Sequence, residues 1–336
     1  MNDKTLRNSP TSPLSRRQFL SLAMGLAAAP LLAPSQAAGN ASDFAKRDLS
    51  RLRLASVHAV VTDLSTGSRL VSKHADIPVS IASITKLMTA MVVLDAGQSL
   101  EEWLPFLERD RAAPANAYSR IRIHSEAPRR EMMRMALTAS ENLAAHNLAR
   151  HYPGGFNACI EAMNAKAVKL GMSQTHFVDP DGLSTGNVAS ASDVSRMVLA
   201  AHDYDPIRHL STTAGYTVRF RQPRYRLRYG NTNALVHSPR WDLSLSKTGY
   251  LDDAGRCLVM VARFQGRPVA MVFLNAFGRR TPLGDGGRVR RWLETGESGP
   301  VNGAALAYER RQVAALESRE KSPDRAREGE PADEGE

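Results

Sequence analysis

The sequence predicts an α+β domain in which N- and C-terminal segments form one antiparallel sheet and a helical subdomain is inserted between them. Three observations predict it. β-rich runs lie at 58–73 and again at 218–276, stretches with apolar residues at helical spacing fill 82–201, and no internal repeat is present. The 336 residues, 43% hydrophobic and 23% charged, suffice for a real apolar core, so disorder of the whole chain is excluded. No uncharged apolar run approaches the roughly 18 residues that a span requires, which excludes a polytopic membrane protein.

His58–Asp63 and Arg69–Lys73 are β-rich runs joined by the turn-like Leu64-Ser65-Thr66-Gly67-Ser68, a hairpin pattern. From Ala82 to Ala96, Ile84, Leu87, Met88, Met91, Val92 and Leu94 follow helical spacing, and Gly97 is the stop. That helix is apolar nearly all round and is expected to be central and buried. Further helices are predicted at Arg130–Ala139, Glu141–His151, Phe156–Leu170 and Ser192–Ala201. Val218, Phe220, Tyr225, Leu227 and Tyr229 then alternate with Arg219, Arg221, Arg224, Arg226 and Arg228 about Gln222-Pro223, predicting a hairpin with one apolar and one arginine face. Strands follow at Leu243–Lys247, Cys257–Phe264 and Val269–Ala276, with a closing helix at Val289–Glu294.

The two ends differ from this middle. Ser15-Arg16-Arg17-Gln18-Phe19-Leu20 precedes a mild apolar stretch to Leu32, and Ala37-Ala38 follow a turn-prone Pro34-Ser35-Gln36. This is the anatomy of a twin-arginine export signal, assigned to 1–38 with cleavage near Ala37 or Ala38, and it implies a periplasmic protein with no nucleic-acid partner. Residues 298–336 read as a charged, largely disordered tail, with a short helix from Ala304 to Leu316. The formal charge is +10. The leader contributes +3 and residues 299–336 contribute −3, so the folded middle, 39–297, carries the whole basic balance. Between 207 and 240 stand seven arginines and no acidic residue, either a solvated face or a surface for an anionic polymer.

Three short elements carry chemistry. Ser-x-x-Lys occurs at Ser83–Lys86, Ser244–Lys247 and Ser318–Lys321, but only Ser83-Ile84-Thr85-Lys86 opens a strongly apolar helix. The spacing puts Ser83 and Lys86 on one face, where helix N-terminal amides favour a developing oxyanion and burial can drive a lysine toward its neutral, proton-accepting form. Ser140-Glu141-Asn142 starts the next helical run. Its plain reading is an N-cap; its chemical reading is a second hydroxyl to relay a proton and an amide to hold a substrate carbonyl. Lys247-Thr248-Gly249 closes a short strand, where an edge position and a glycine admit a substrate backbone while Lys247 and Thr248 face a carboxylate. Ser140 follows Ser83 by 57 residues and Lys247 follows Ser140 by 107. The order and combination, more than any single element, make the pattern specific.

With these motifs the chain resembles the serine D-Ala-D-Ala carboxypeptidase family, the low-molecular-mass penicillin-binding proteins. Phe177-Val178-Asp179-Pro180-Asp181-Gly182-Leu183-Ser184, Gly230-Asn231-Thr232-Asn233 and Lys247-Thr248-Gly249-Tyr250 extend the resemblance over the mature domain. It implies a β-lactamase/transpeptidase-like fold and a serine peptidase acting on peptidoglycan through an acyl-enzyme, with no metal or organic cofactor. By the same resemblance Ser83 is the nucleophile, Lys86 the candidate base and Ser140 the relay, although the first proton acceptor is disputed in this class. Asn142, Lys247, Thr248 and Gly249 bind substrate, the backbone N–H groups of Ser83 and Tyr250 form the oxyanion hole, and Asp179 and Asp181 shape a loop. Glu141 stands where typical carboxypeptidases carry glycine, and neither a second β-domain nor an amphipathic anchor is expected after Gly296. Both departures favour a D,D-endopeptidase of D-alanyl-diaminopimelyl cross-links, with a D,D-carboxypeptidase as the alternative. No Glu-x-x-Leu-Asn lies between Asn142 and Lys247 to hold a deacylating water, so β-lactam antibiotics are expected to acylate Ser83 persistently. Cys159 and Cys257 leave a disulfide open, though two small buried hydrophobes are the commoner outcome.

Overall fold

The structure, a computed structural model, describes residues 44–109 and 118–321. The twin-arginine segment and the last part of the tail lie outside the described residues. In chain order the elements are β1 (His58–Asp63), β2 (Arg69–Lys73), β3 (Val79–Ser80), a 3-10 turn (Ala82–Thr85), α1 (Lys86–Asp95), β4 (Trp103–Pro105) and β5 (Glu126–Pro128). Next come α2 (Arg129–Thr138), α3 (Asn142–Arg150), α4 (Gly155–Lys169), β6 (Val188–Ala189), α5 (Ala191–His202) and α6 (Asp205–Ser211). The chain continues through β7 (Gly215–Phe220), β8 (Tyr225–Gly230), β9 (Leu243–Leu251), β10 (Gly255–Phe264), β11 (Arg267–Ala276), α7 (Thr281–Thr295) and α8 (Gly303–Lys321).

The main sheet has the order β2-β1-β11-β10-β9 and is antiparallel throughout. β1 pairs with β11, His58 opposite Leu274 and Asp63 opposite Val269, so the two ends of the domain are united as the sequence predicts. Successive residues of a strand point to opposite faces, and here both faces are covered. Val60, Val259, Val261, Val272 and Leu274 join the core under the helical insertion. Their neighbours Val61, Leu258, Met260, Met271 and Phe273 pack with Phe44, Val289 and Trp292 on the other side. Two buried faces explain why these strands read as continuous apolar runs.

α1 is buried from Lys86 to Val93 and is the central helix, as its all-round apolarity predicts. Its predicted first turn is instead a 3-10 turn, with Ala82 at φ +47°. Another loop approaches closely here: a Cβ on Gly182 would stand 2.1 Å from the carbonyl oxygen of Ala82. The strand expected to end near Lys247 runs on to Leu251, because Tyr250 and Leu251 still pair with Arg256 and Gly255 of β10. α7 starts eight residues before its predicted Val289, concealed by Gly284, Gly286 and Gly287. Gly286 lies against the tip of Met260, whose Cε would stand 2.3 Å from an added Cβ and would have to move aside. The tail expected to be largely disordered contains α8, longer than the helix read from sequence. It is anchored by buried Ala305, by Lys73–Glu309 at 2.9 Å and by Tyr308 Oη donating to Asn275 Oδ1 at 2.6 Å.

Cys159 in α4 and Cys257 in β10 are free and buried, so the disulfide left open by the sequence does not form. Burial pushes both thiols up to about 12. A reductant is therefore expected to leave the melting temperature unchanged, and a maleimide to label neither thiol before unfolding; rapid labelling of the native protein would contradict this burial.

Candidate active site

The insertion and the sheet meet at the start of α1. Side chains three residues apart nearly eclipse in 3-10 geometry, which brings Ser83 Oγ to accept from Lys86 Nζ at 2.8 Å. Ser83 keeps 9% of its surface exposed and Lys86 only 1%. Lys86 Nζ also donates to Asn142 Oδ1 at 2.8 Å and to the carbonyl of Asp181. Burial is the main reason its pKa falls to about 8, against the attraction of Asp181, Asp179 and Glu141, which favours the charged form.

Ser140 lies at the junction of α2 and α3 with φ +58°. The N-cap reading of its sequence falls to Glu141, whose carboxylate accepts from Leu143 N at 3.1 Å. Ser140 Oγ is thereby left to accept from Lys247 Nζ at 2.9 Å. Burial raises the pKa of Glu141. Asn142 begins α3, and with its Oδ1 occupied by Lys86 its amide nitrogen donates to no described residue.

β9 is an edge strand of the sheet. Lys247 is 1% exposed and also donates to the carbonyl of Thr248 at 2.8 Å. Burial first, then the neighbouring Lys86 charge, push its pKa well below the ordinary lysine value. Thr248 Oγ1 donates to Thr232 Oγ1 at 2.6 Å. Gly249 lets β9 close on the 3-10 turn, since a Cβ there would come to 3.0 Å from Ile81 O and 3.2 Å from Ser83 N. Tyr250 follows with its side chain 41% exposed and Arg256 over its ring. Lys86 thus joins Ser83 and Asn142 by hydrogen bonds, and Lys247 joins Ser140, with Thr248 and Gly249 alongside on the strand.

The sequence reading missed part of this site. Asp179 shapes its loop as expected, its carboxylate accepting from the backbone N–H groups of Asp181 and Ser184. Asp181 does more: its carbonyl faces Lys86, and its buried carboxylate pairs with Arg109 at 2.7 Å. The Asp179-Pro180-Asp181-Gly182 turn signal marked a loop there, but no residue type announces a carbonyl contact. Nothing near Arg109 in the sequence marks it as a partner.

A serine and a lysine of lowered pKa at the start of a buried helix, a second Ser–Lys pair beside them and a glycine-bearing edge strand define a serine acyl-transfer enzyme of the penicillin-binding type. Residues 45–278 match the family described as D-alanyl-D-alanine carboxypeptidase. The chain belongs to that family. It is 48% identical to a D-alanyl-D-alanine endopeptidase of Pseudomonas aeruginosa over 76% of this chain and 82% of that one. It is 44% identical to a D-alanyl-D-alanine endopeptidase of Escherichia coli over 90% of this chain and 96% of that one. Among solved structures it is similar to penicillin-binding protein D2 from Listeria monocytogenes in the cefotaxime-bound form, at 27% identity and TM-score 0.63, covering 73% of this chain and 99% of that one. The fold is shared with the Streptomyces K15 DD-transpeptidase, TM-score 0.66 at 24% identity, over 72% of this chain and 98% of that one.

Proposed function

We propose that the protein is a serine D,D-endopeptidase that hydrolyses D-alanyl-diaminopimelyl cross-links of peptidoglycan through an acyl-enzyme. The observation that carries this reading is two hydrogen-bonded Ser–Lys pairs, Ser83–Lys86 and Ser140–Lys247, beside an edge strand, in a chain close in sequence to two endopeptidases. Ser83 Oγ attacks the D-alanyl carbonyl and its proton passes to neutral Lys86. The carbonyl oxygen develops charge between the backbone N–H groups of Ser83 and Tyr250, a placement supported by the closeness of Gly249 to Ser83 N. Ser140 passes a proton to the departing amine, and water then cleaves the ester, restoring Ser83. Asn142 presents its unengaged amide nitrogen to the substrate carbonyl. Lys247 and Thr248 hold a carboxylate. That anion supplies the counter-charge which burial denies Lys247 and favours its charged form.

Penicillins and cephalosporins acylate Ser83 in this reading, as the bound cefotaxime and ampicillin of the Listeria relative suggest. Residues 1–38 act as a twin-arginine leader delivering residues 39–297, the catalytic domain, to the periplasm, and 298–336 form an appended tail. No helix among the described residues is long and apolar enough to cross a membrane. The family description favours a second reading, a D,D-carboxypeptidase removing terminal D-Ala. Digestion of purified monomeric and cross-linked muropeptides separates the two. Loss of dimers is the expected result, and release of free D-Ala with dimers intact would establish the carboxypeptidase.

A further inference from the structure

We propose that the outward face of the β7–β8 hairpin is a docking surface for carboxylate-bearing stem peptides of the wall polymer, separate from the catalytic groove. This rests on the peptidoglycan reading above. The hairpin divides as its alternation predicts. Val218, Phe220 and Tyr229 are buried, while Arg219, Arg226 and Arg228 are exposed, with exposed Arg224 at the turn. Arg219 stands directly opposite Arg226 across the pair. Like charges in that position destabilise a hairpin, so the arrangement is costly to the fold alone.

Neighbouring arginines show what a structural role looks like here. Arg221 pairs with Glu126 at 2.5 Å, Arg134 with Glu131 at 3.4 Å, and Arg208 with Asp205. Among the described residues Arg219, Arg224, Arg226 and Arg228 join no ion pair. Exposed Arg120 adds to the charge, donating to the carbonyl of Arg228 at 2.7 Å. The platform is firm: Phe220 stacks on Tyr225 at 4.4 Å and touches Phe106 at 5.9 Å between ring centroids.

Position selects the partner. β8 ends at Gly230, two residues before the Thr232 that accepts from Thr248, so the arginine ladder begins beside the carboxylate-binding strand and runs outward from it. A polymer whose scissile peptide lies at Ser83 carries further carboxylates on adjoining stems. Guanidinium groups suit carboxylates, which they can hold bidentately.

The test compares intact wild-type protein with Arg226→Glu and with the double substitution Arg224→Gln/Arg228→Gln. Binding to purified sacculi is expected to fall several-fold in both, with a weaker dependence on salt. Acylation by labelled penicillin and cleavage of soluble cross-linked dimers should stay at the wild-type level. The melting temperature of Arg226→Glu should not fall, because an opposite charge then faces Arg219. Unchanged sacculus binding and salt dependence would overturn the proposal. So would equal competition by polyglutamate, which would make the face a general polyanion surface. Failure of the wild type to cut soluble dimers would instead remove the endopeptidase reading, while the binding comparison would still judge the hairpin.

Discussion

Lys86→Met is expected to lower the rate of Ser83 acylation by roughly a hundred- to ten-thousandfold, the range associated with losing a positioned general base. Methionine fills the buried slot but accepts no proton, and it leaves Asn142 Oδ1 and the Asp181 carbonyl without their shared donor. Lys86→Arg should fail as well despite keeping the charge, because a guanidinium is not deprotonated in proteins. The same assignment fixes a pH profile. Burial lowers the Lys86 pKa to about 8, so the reactive neutral form grows as pH rises and acylation should climb through that value before levelling. An ordinary lysine would place the limb near a pH of about 10.4. Penicillin acylation rates measured across this range decide the point: a flat profile, or a limb at the ordinary lysine value, would remove Lys86 from the role of base.

Gly182→Ala is expected to cost about 2–5 kcal/mol, combining left-handed backbone strain with overpacking. Gly182 has φ +74°, and the added methyl would meet the carbonyl oxygen and carbon of Ala82 at 2.1 and 2.4 Å, backbone atoms with nowhere to yield. For a domain of this size that corresponds to a melting temperature lower by about 5–15 °C. The damage is also functional, since the displaced segments carry Ser83 on one side and the Asp181 carbonyl on the other. Gly67→Ala provides the contrast. Its φ is +71° but nothing lies within 4 Å of the added carbon, so only backbone strain, on the order of 1 kcal/mol, is expected. Equal melting temperatures for the two variants would contradict the close approach.

The strongest periodicities are legible in the chain. The β1–β2 hairpin, the central helix and the arginine hairpin follow from alternation or helical spacing in the chain itself. Short or glycine-rich elements were not: α6 has seven residues, β4 and β5 three each, and α7 is interrupted by Gly284, Gly286 and Gly287. The motif residues Ser83, Lys86, Ser140 and Lys247 were legible because their spacing and order are specific. Arg109 and the carbonyl of Asp181 were not, because they enter the site through tertiary approach, which leaves no local pattern; Thr232 lay in the quoted Gly230-Asn231-Thr232-Asn233 element, but its contact with Thr248 did not show there. The positive φ of Ala82 belongs to the same class: an alanine there gives no warning, and the glycine packed against it lies a hundred residues away.

The pairing of β1 with β11 also bears on when this enzyme comes into being. Ser83 and Lys86 are among the first residues of the domain to be synthesised, yet Lys247 comes late, on a strand held by β10, which is held in turn by β11. Long-range pairings of this kind incur their loop-closure entropy before any contact rewards it, and they slow folding. A chain interrupted before residue 267 carries the nucleophile and the base but lacks the strand that closes the sheet. The sheet that carries Lys247 and lies against the Ser83 turn is therefore complete only once the C-terminal strands have been made.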